Sequence, residues 1–248
     1  MRKLLFVLLI ALVPFVAYAG SPAWNLMIAE PAAGGGDECA GYLICQNLEN
    51  TGYDHSETWA ETTGGTNGTV NEDYATSPAP LRGAQSLFVK VDSFHLTNTT
   101  TSPSYTTASP CYVHFLLRFQ GGQTDHTDFM YLLGAADAVQ ATLKIRNATN
   151  YLNAVHGVTS TIASTTAIST STTYHVWVDY TLGAGTDGVM TVRLSTDGTK
   201  PTGTPEISIT TGTALLGINK IKFLTGYSAD FIFDQILVSS AEFTTVPN

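Results

Sequence analysis

Cys111-Tyr112-Val113-His114-Phe115-Leu116-Leu117-Arg118-Phe119 alternates between two kinds of side chain. Val113, Phe115, Leu117 and Phe119 fall on one side of an extended chain. His114, Leu116 and Arg118 fall on the other. Successive residues of a strand face opposite ways, so one face is apolar and core-directed and the other carries polar groups. Thr173-Tyr174-His175-Val176-Trp177-Val178-Asp179-Tyr180-Thr181 repeats the pattern, with Val176, Val178 and Tyr180 against His175, Trp177 and Asp179. Residues 86–92 set Leu87, Val89 and Val91 against Phe88, Lys90 and Asp92.

Working outward, residues 129–133, 141–146, 190–195, 220–225 and 230–239 read as further strands, and Thr196-Asp197-Gly198-Thr199 as a turn. Threonine is β-branched and favours strands, so the Thr-rich residues 159–173 are compatible with an extended, partly paired segment. Helix-period patterning is scarce and no internal repeat is sustained. About ten strands separated by Gly, Thr, Ser, Asn and Pro clusters predict an all-β fold, a two-sheet antiparallel β-sandwich or jelly roll. Phe115, Leu117, Val176, Val178 and Ile232 are expected between the two sheets.

The chain opens with Met1-Arg2-Lys3, an apolar run from Leu4 to Val16, and Ala17-Tyr18-Ala19 before Gly20. A positive start, a short apolar stretch and an Ala-x-Ala site in that order predict a secretory signal peptide over residues 1–19. The run is too short for a membrane span, which needs about 20 residues. Residues 20–42, with Pro22, Pro31 and three successive glycines at 34–36, read as a lead-in, and residues 43–245 as one sandwich domain. The expected location is secreted or extracellular. Sandwiches of roughly 200–250 residues are common, so one domain absorbs the length.

The composition is 44% hydrophobic but only 12% charged, with a net charge of −9. Loss of Arg2 and Lys3 makes the exported chain still more acidic. Without a basic cluster it is a poor nucleic-acid binder, and the expected partner is a glycan or a cell-surface or extracellular protein. Cys39, Cys45 and Cys111 allow at most one internal disulfide, and the spacing does not choose the pair. Asn67, Asn98 and Asn147 each open an N-x-Ser/Thr pattern.

Three stretches carry a resemblance. They are residues 112–119, residues 173–180 (Thr-Tyr-His-Val-Trp-Val-Asp-Tyr) and residues 229–239 (Ala-Asp-Phe-Ile-Phe-Asp-Gln-Ile-Leu-Val-Ser). Together with Cys45–Asp54, Trp59 and residues 81–87, they resemble the concanavalin A-like lectin/glucanase superfamily in its laminin-G-like branch. The resemblance spans about residues 43–240 and rests mostly on core positions. It therefore speaks for fold more than function, since one fold hosts many functions.

Glycoside hydrolases of that superfamily carry a Glu-x-Asp-x-(x)-Glu strand, which aims paired carboxylates into one groove. No Glu lies between Glu72 and Glu206, and the motif is absent. Asp125 and Asp128 follow Gly121-Gly122 and read as a solvated turn. The Tyr-x-Lys-x-Gly-x-Tyr strand of the superfamily's polysaccharide lyases is missing too. There is no Gly-x-Ser-x-Gly elbow and no phosphate loop. The reading is a non-catalytic carbohydrate-binding or adhesion module, with a structural surface protein or a divergent lyase or hydrolase as alternatives.

A sugar site combines a flat aromatic with polar groups on a rigid sheet. His114 and Arg118 share one outward face, and His175, Trp177 and Asp179 share another. These five are the expected ligand-binding set, with Trp177 stacking on a pyranose. Members of the superfamily often hold a structural Ca²⁺, which takes several oxygen ligands. Glu49, Asp230 and Asp234 are the expected metal set, with Asp54, Glu57 or Asp37-Glu38 as further oxygen sources.

Overall fold

A computed structural model describes residues 39–46, 59–62, 69–74, 79–90, 98–102, 104–121, 127–146, 149–170, 172–183, 185–225 and 229–246. The expected signal peptide, residues 20–38 of the lead-in, Glu49, Asp54, Glu57, Asp125, Asn67 and Asn147 lie outside these residues. Residues Asp37–Asn248 make one compact unit.

Fifteen strands are described: β1 Tyr42–Gln46, β2 Ala60–Thr62, β3 Thr69–Tyr74, β4 Ser86–Lys90, β5 Asn98–Thr101, β6 Cys111–Phe119, β7 Thr127–Leu133, β8 Val139–Ile145, β9 Tyr151–His156, β10 Thr159–Ala167, β11 Tyr174–Thr181, β12 Gly188–Ser195, β13 Ile207–Gly212, β14 Lys220–Thr225 and β15 Phe231–Ser239. One 3₁₀ turn, Ala135–Asp137, joins β7 to β8. The strands form two antiparallel sheets. Sheet A runs β13-β12-β11-β6-β15-β4-β3, with β1 also on β15, and sheet B runs β10-β9-β8-β7-β14-β5-β2. The expected jelly-roll sandwich is the fold.

Alternation places the core. Val113, Phe115, Leu117 and Phe119 of β6 and Val176, Val178 and Tyr180 of β11 face sheet B and are buried. Sheet B answers with Phe129, Leu132, Leu143, Ile145, Leu152, Ile221 and Phe223. Five phenylalanines interlock at the centre. Phe223 lies 4.2 Å from Phe233 and 5.3 Å from Phe115, and Phe129 lies 5.4 Å from Phe231. Each buried ring stabilises by about 1.5–3 kcal/mol through loss of apolar surface to water.

Ile232 corrects one expectation. It is buried, but it does not join the cluster between the sheets, whereas Phe231 and Phe233 do. Ile232 pairs with Arg118 and Phe88 on the outer side of sheet A. The run Phe231-Ile232-Phe233 is apolar on both faces, so alternation alone does not say which face is core. All nine positions of β15 are buried. A bulge lies inside that strand: Asp234 pairs with Leu116, but Leu237 pairs with His114, and Gln235 takes φ 45°. There β15 changes its second neighbour from β4, which ends at Phe233↔Leu87, to β1, which begins at Ile236↔Gln46.

Cys39 and Cys45 form the disulfide. It closes a short loop at the start of β1. Cys111 is free and buried, and burial pushes its thiol pKa up to about 12, so it is inert at neutral pH.

Candidate functional site

The outer face of sheet A carries the five expected ligand residues. Trp177 pairs with His114 across β11 and β6, and His175 with Leu116. The two imidazoles touch, with His114 Nε2 3.0 Å from His175 Nδ1. His114 Nδ1 lies 3.2 Å from the Gln235 carbonyl. A carbonyl only accepts, so His114 donates from Nδ1, and its Nε2 must accept from His175. Burial, and then the neighbouring His175, hold the pKa of His114 well below its ordinary value. Burial also lowers that of His175, against the attraction of Asp197 and with the repulsion of Arg82.

The cluster is closed. Trp177 is 2% exposed, and its indole packs on His114 at 4.5 Å and on Phe243 at 5.7 Å. Its Nε1 donates to Ser195 Oγ at 3.2 Å. Residues 240–246 form the cover. They are fixed by the Lys200 amide donating to the Thr244 carbonyl, by a bridge between Thr199 and Thr245, and by Lys200 Nζ on Glu242 at 2.7 Å. Asp179 pairs with Lys200 at 2.7 Å and Arg193 at 3.0 Å. Arg118 turns to Thr173 Oγ1 and the Ala79 carbonyl. The expectation of an open, stacking indole is therefore corrected. The chain's own C-terminal segment occupies that side of the ring, because Phe243 supplies the apolar partner a sugar face was expected to supply.

Asp230 and Asp234 of the expected metal set do not converge. Asp230 and Asp234 are four residues apart on extended chain, about 13 Å at a rise near 3.3 Å per residue. Calcium–oxygen bonds are about 2.3–2.6 Å, so one ion does not bridge them. Asp234 is buried and already served: Oδ2 accepts from Ser86 Oγ and the Arg82 amide, and Oδ1 from the Gln235 amide. Its work is to hold the bulge of β15 and the 81–86 segment. Glu49 lies outside the described residues. Among the described residues no group of three His, Cys, Asp or Glu side chains is placed to hold a metal ion.

Sheet B presents a different outer face. Every described strand belongs to one of the two sheets, and none is left over to cover it. Cross-strand pairs point the same way. Lys222, Tyr131, Thr142 and Val155 make one row across β14, β7, β8 and β9. Asp128, Lys144 and Asn153 make the next. Asp128 ties the rows: its Oδ2 accepts from Tyr131 Oη at 2.8 Å, and its Oδ1 pairs with Lys144 Nζ at 3.0 Å. Burial first, then the Asp128 hydrogen bond and charge, raise the Tyr131 pKa, so the phenol keeps its proton. Lys222 has no ion-pair partner among the described residues. Asn153 is 5% exposed, and its Oδ1 finds no hydrogen-bond partner. A buried acceptor without a donor costs free energy.

Asp128 thus corrects the reading of a solvated turn. It lies on β7, beside Lys144. A bulge explains why strict alternation misses the face. Asp128 pairs with Lys144 and Met130 with Leu143, so two residues of β7 oppose one of β8. Phe129 and Met130 both enter the core, and Tyr131 is turned outward. The usable signal is Tyr131, Lys144 and Lys222, polar or charged side chains on strands legible in the sequence, with Asp128 three residues before Tyr131.

No family model matches the sequence, and no curated protein matches it. Solved structures do. An endo-β-1,4-glucuronan lyase from the fungus Trichoderma reesei matches 74% of this chain and 95% of its own, with 10% identity and a TM-score of 0.52. The cellulose-induced protein Cip1 matches 81% of this chain and 99% of its own, with 17% identity and a TM-score of 0.54. A botulinum neurotoxin type C structure, whose cell entry depends on two ganglioside molecules, matches 84% of this chain, which spans 49% of it, with 12% identity and a TM-score of 0.54. At such identities the likeness shows the fold: this chain shares the two-sheet sandwich of these proteins.

Proposed function

We propose that this chain is an exported glycan-binding module that holds an acidic polysaccharide along the outer face of sheet B. One observation carries the reading. Lys222, with no ion-pair partner among the described residues, lies in one row with Tyr131 and Thr142, beside the row of Asp128 and Lys144. A carboxylate sugar fits that set: an ammonium for the carboxylate and a phenol edge for the ring. Rigid sheet positions hold such groups more firmly than loops do. The glucuronan lyase among the fold neighbours is consistent with a uronate ligand. Export through residues 1–19 and membership of the laminin-G-like branch are parts of the same reading.

Affinity gel electrophoresis against polyglucuronate, polymannuronate and a neutral β-glucan tests it. Retardation by a polyuronate, weak with the neutral glucan and lost in Lys222→Ala, is the expected result. Equal mobility in all gels would remove the proposal.

A lyase is the second reading, favoured by the direct pairing of Tyr131 with Lys222. A β-elimination needs one group to take the C5 proton and one to protonate the leaving oxygen, and Tyr131 and Lys222 are neighbouring titratable groups on this face. Growth of ultraviolet absorbance from unsaturated uronates during incubation with a polyuronate would turn the module into an enzyme. A flat trace with gel retardation keeps it a binder.

A further inference from the structure

His156 ends β9 and is fully buried, away from both the Trp177 cluster and the outer face of sheet B. Its cross-strand partner Ala141 is a core residue, so the imidazole also points between the sheets. The ring stacks on Tyr180 of β11, with centroids 4.9 Å apart and planes 16° from parallel. Main-chain groups of fixed role use both of its nitrogens. The Thr181 carbonyl, 2.9 Å from Nε2, only accepts, so Nε2 carries the proton. The Ala214 amide, 3.3 Å from Nδ1, only donates, so Nδ1 carries none. One neutral tautomer serves both partners, and an imidazolium does not. A proton on Nδ1 would set two N–H groups against each other and leave the buried Ala214 amide without an acceptor.

The ring has no room to turn toward other partners. Gly188 of β12 and Gly212 of β13 bring their backbone against it, and a Cβ at either position would overlap the imidazole. Three chain segments meet there. His156 belongs to sheet B, Thr181 ends β11 of sheet A, and Ala214 starts the β13–β14 connection. The Gly183 amide donates to the Ala214 carbonyl at 2.8 Å, and the Val158 amide to Thr213 Oγ1 at 3.1 Å. The junction therefore depends on a ring whose two hydrogen bonds need it uncharged.

The groups around the ring offer an added proton no counter-charge. Tyr180 is kept neutral by burial, as is Cys111 beyond it. Asp187, next to Gly188, is exposed. Arg193 of β12 pairs with Asp179, and Lys144 of β8 pairs with Asp128 on the outer face. β10, β13 and residues 213–217 contain no ionisable side chain. Burial lowers the pKa of His156, against the hydrogen bond to Thr181. We infer that His156 is an acid-sensitive latch: the neutral ring holds the end of β11 and the start of the β13–β14 connection against β9, and its protonation frees them. Above about pH 6.5, the ordinary imidazole value, the ring is neutral whether this end is open or closed, and the latch holds. Below it the open end takes up a proton that the closed end refuses, so opening grows about tenfold per pH unit. The latch is independent of what sheet B binds.

Hydrogen exchange of the full chain tests it, read by mass spectrometry between about pH 7.5 and pH 5 and corrected for the intrinsic exchange rate. Residues 181–188 and 212–216 should lose protection by about tenfold per unit below pH 6.5, ahead of β6 and β15. His156→Gln, uncharged but still able to donate and accept, should remove that dependence. A ¹⁵N–¹H correlation of the wild-type ring supplies a measurement that needs no variant. It should show the Nε2–H tautomer at neutral pH and a protonation that tracks the loss of protection. Protection at this end that does not change with pH, or a ring that gains a proton while protection stays, would overturn the inference. So would a loss that persists in His156→Gln, since the His114–His175 pair would then be its source.

Discussion

Asp128 serves Tyr131 with one oxygen and Lys144 with the other. Half-exposed ion pairs contribute only about 0–1 kcal/mol to stability, so this pairing is not what holds the sandwich together. Asp128→Asn should leave the melting midpoint nearly unchanged. It should lower the raised Tyr131 pKa, because the like charge goes while burial stays. A ring-carbon NMR titration of Tyr131 checks this, and an unmoved pKa would contradict it. The histidine pair gives a second prediction at this scale. Folding lowers the pKa of both His114 and His175 below the ordinary imidazole value of 6.5. As pH falls through about 6.5 the unfolded chain takes up protons first, so stability is full above that pH and declines below it. Denaturant midpoints measured between about pH 7 and pH 5 should fall, and His175→Gln should flatten the slope. A midpoint that rises on acidification would contradict the sign.

Among the elements, β6 is the centre of the core. Phe115 is fully buried and meets Phe129, Phe223 and Phe233. Phe115→Ala should cost about 3–5 kcal/mol, transfer plus cavity, by denaturant titration. The cover formed by residues 240–246 predicts that Phe243→Ala opens the indole of Trp177. Tryptophan emission should then shift to the red and become quenchable by iodide, and an unchanged spectrum would place the ring elsewhere. Strands such as β6 and β11 were legible because each pairs one apolar face with one mixed face. What alternation leaves open is whether a mixed face is wet. His114 and Trp177 point away from sheet B as their parity requires, yet Phe243, more than sixty residues further along the chain, seals them. Parity also fails at bulges. One extra residue in β7 moves Tyr131 to the outer face, and one in β15 lets the strand change partners. The candidate site on sheet B depended on the first of these, so its residues were visible in the sequence and their common face was not.

Over the whole molecule, the two sheets differ in what lies on their outer surfaces. On sheet A residues 240–246 cover Trp177, whereas no described strand lies over the face of sheet B that carries Lys222, Tyr131 and Lys144. An acidic chain with Lys222 on that face can attract an acidic glycan at short range while its overall charge limits nonspecific anion binding. The central claim is the face, and NMR shift mapping tests it most directly. Titrating an oligoglucuronate into ¹⁵N-labelled protein should move amides of β7, β8, β9 and β14 around Tyr131, Lys144, Asn153 and Lys222, and leave those of β11 near Trp177 still. Shifts centred on β6 and β11, or none at saturating oligoglucuronate, would contradict the account.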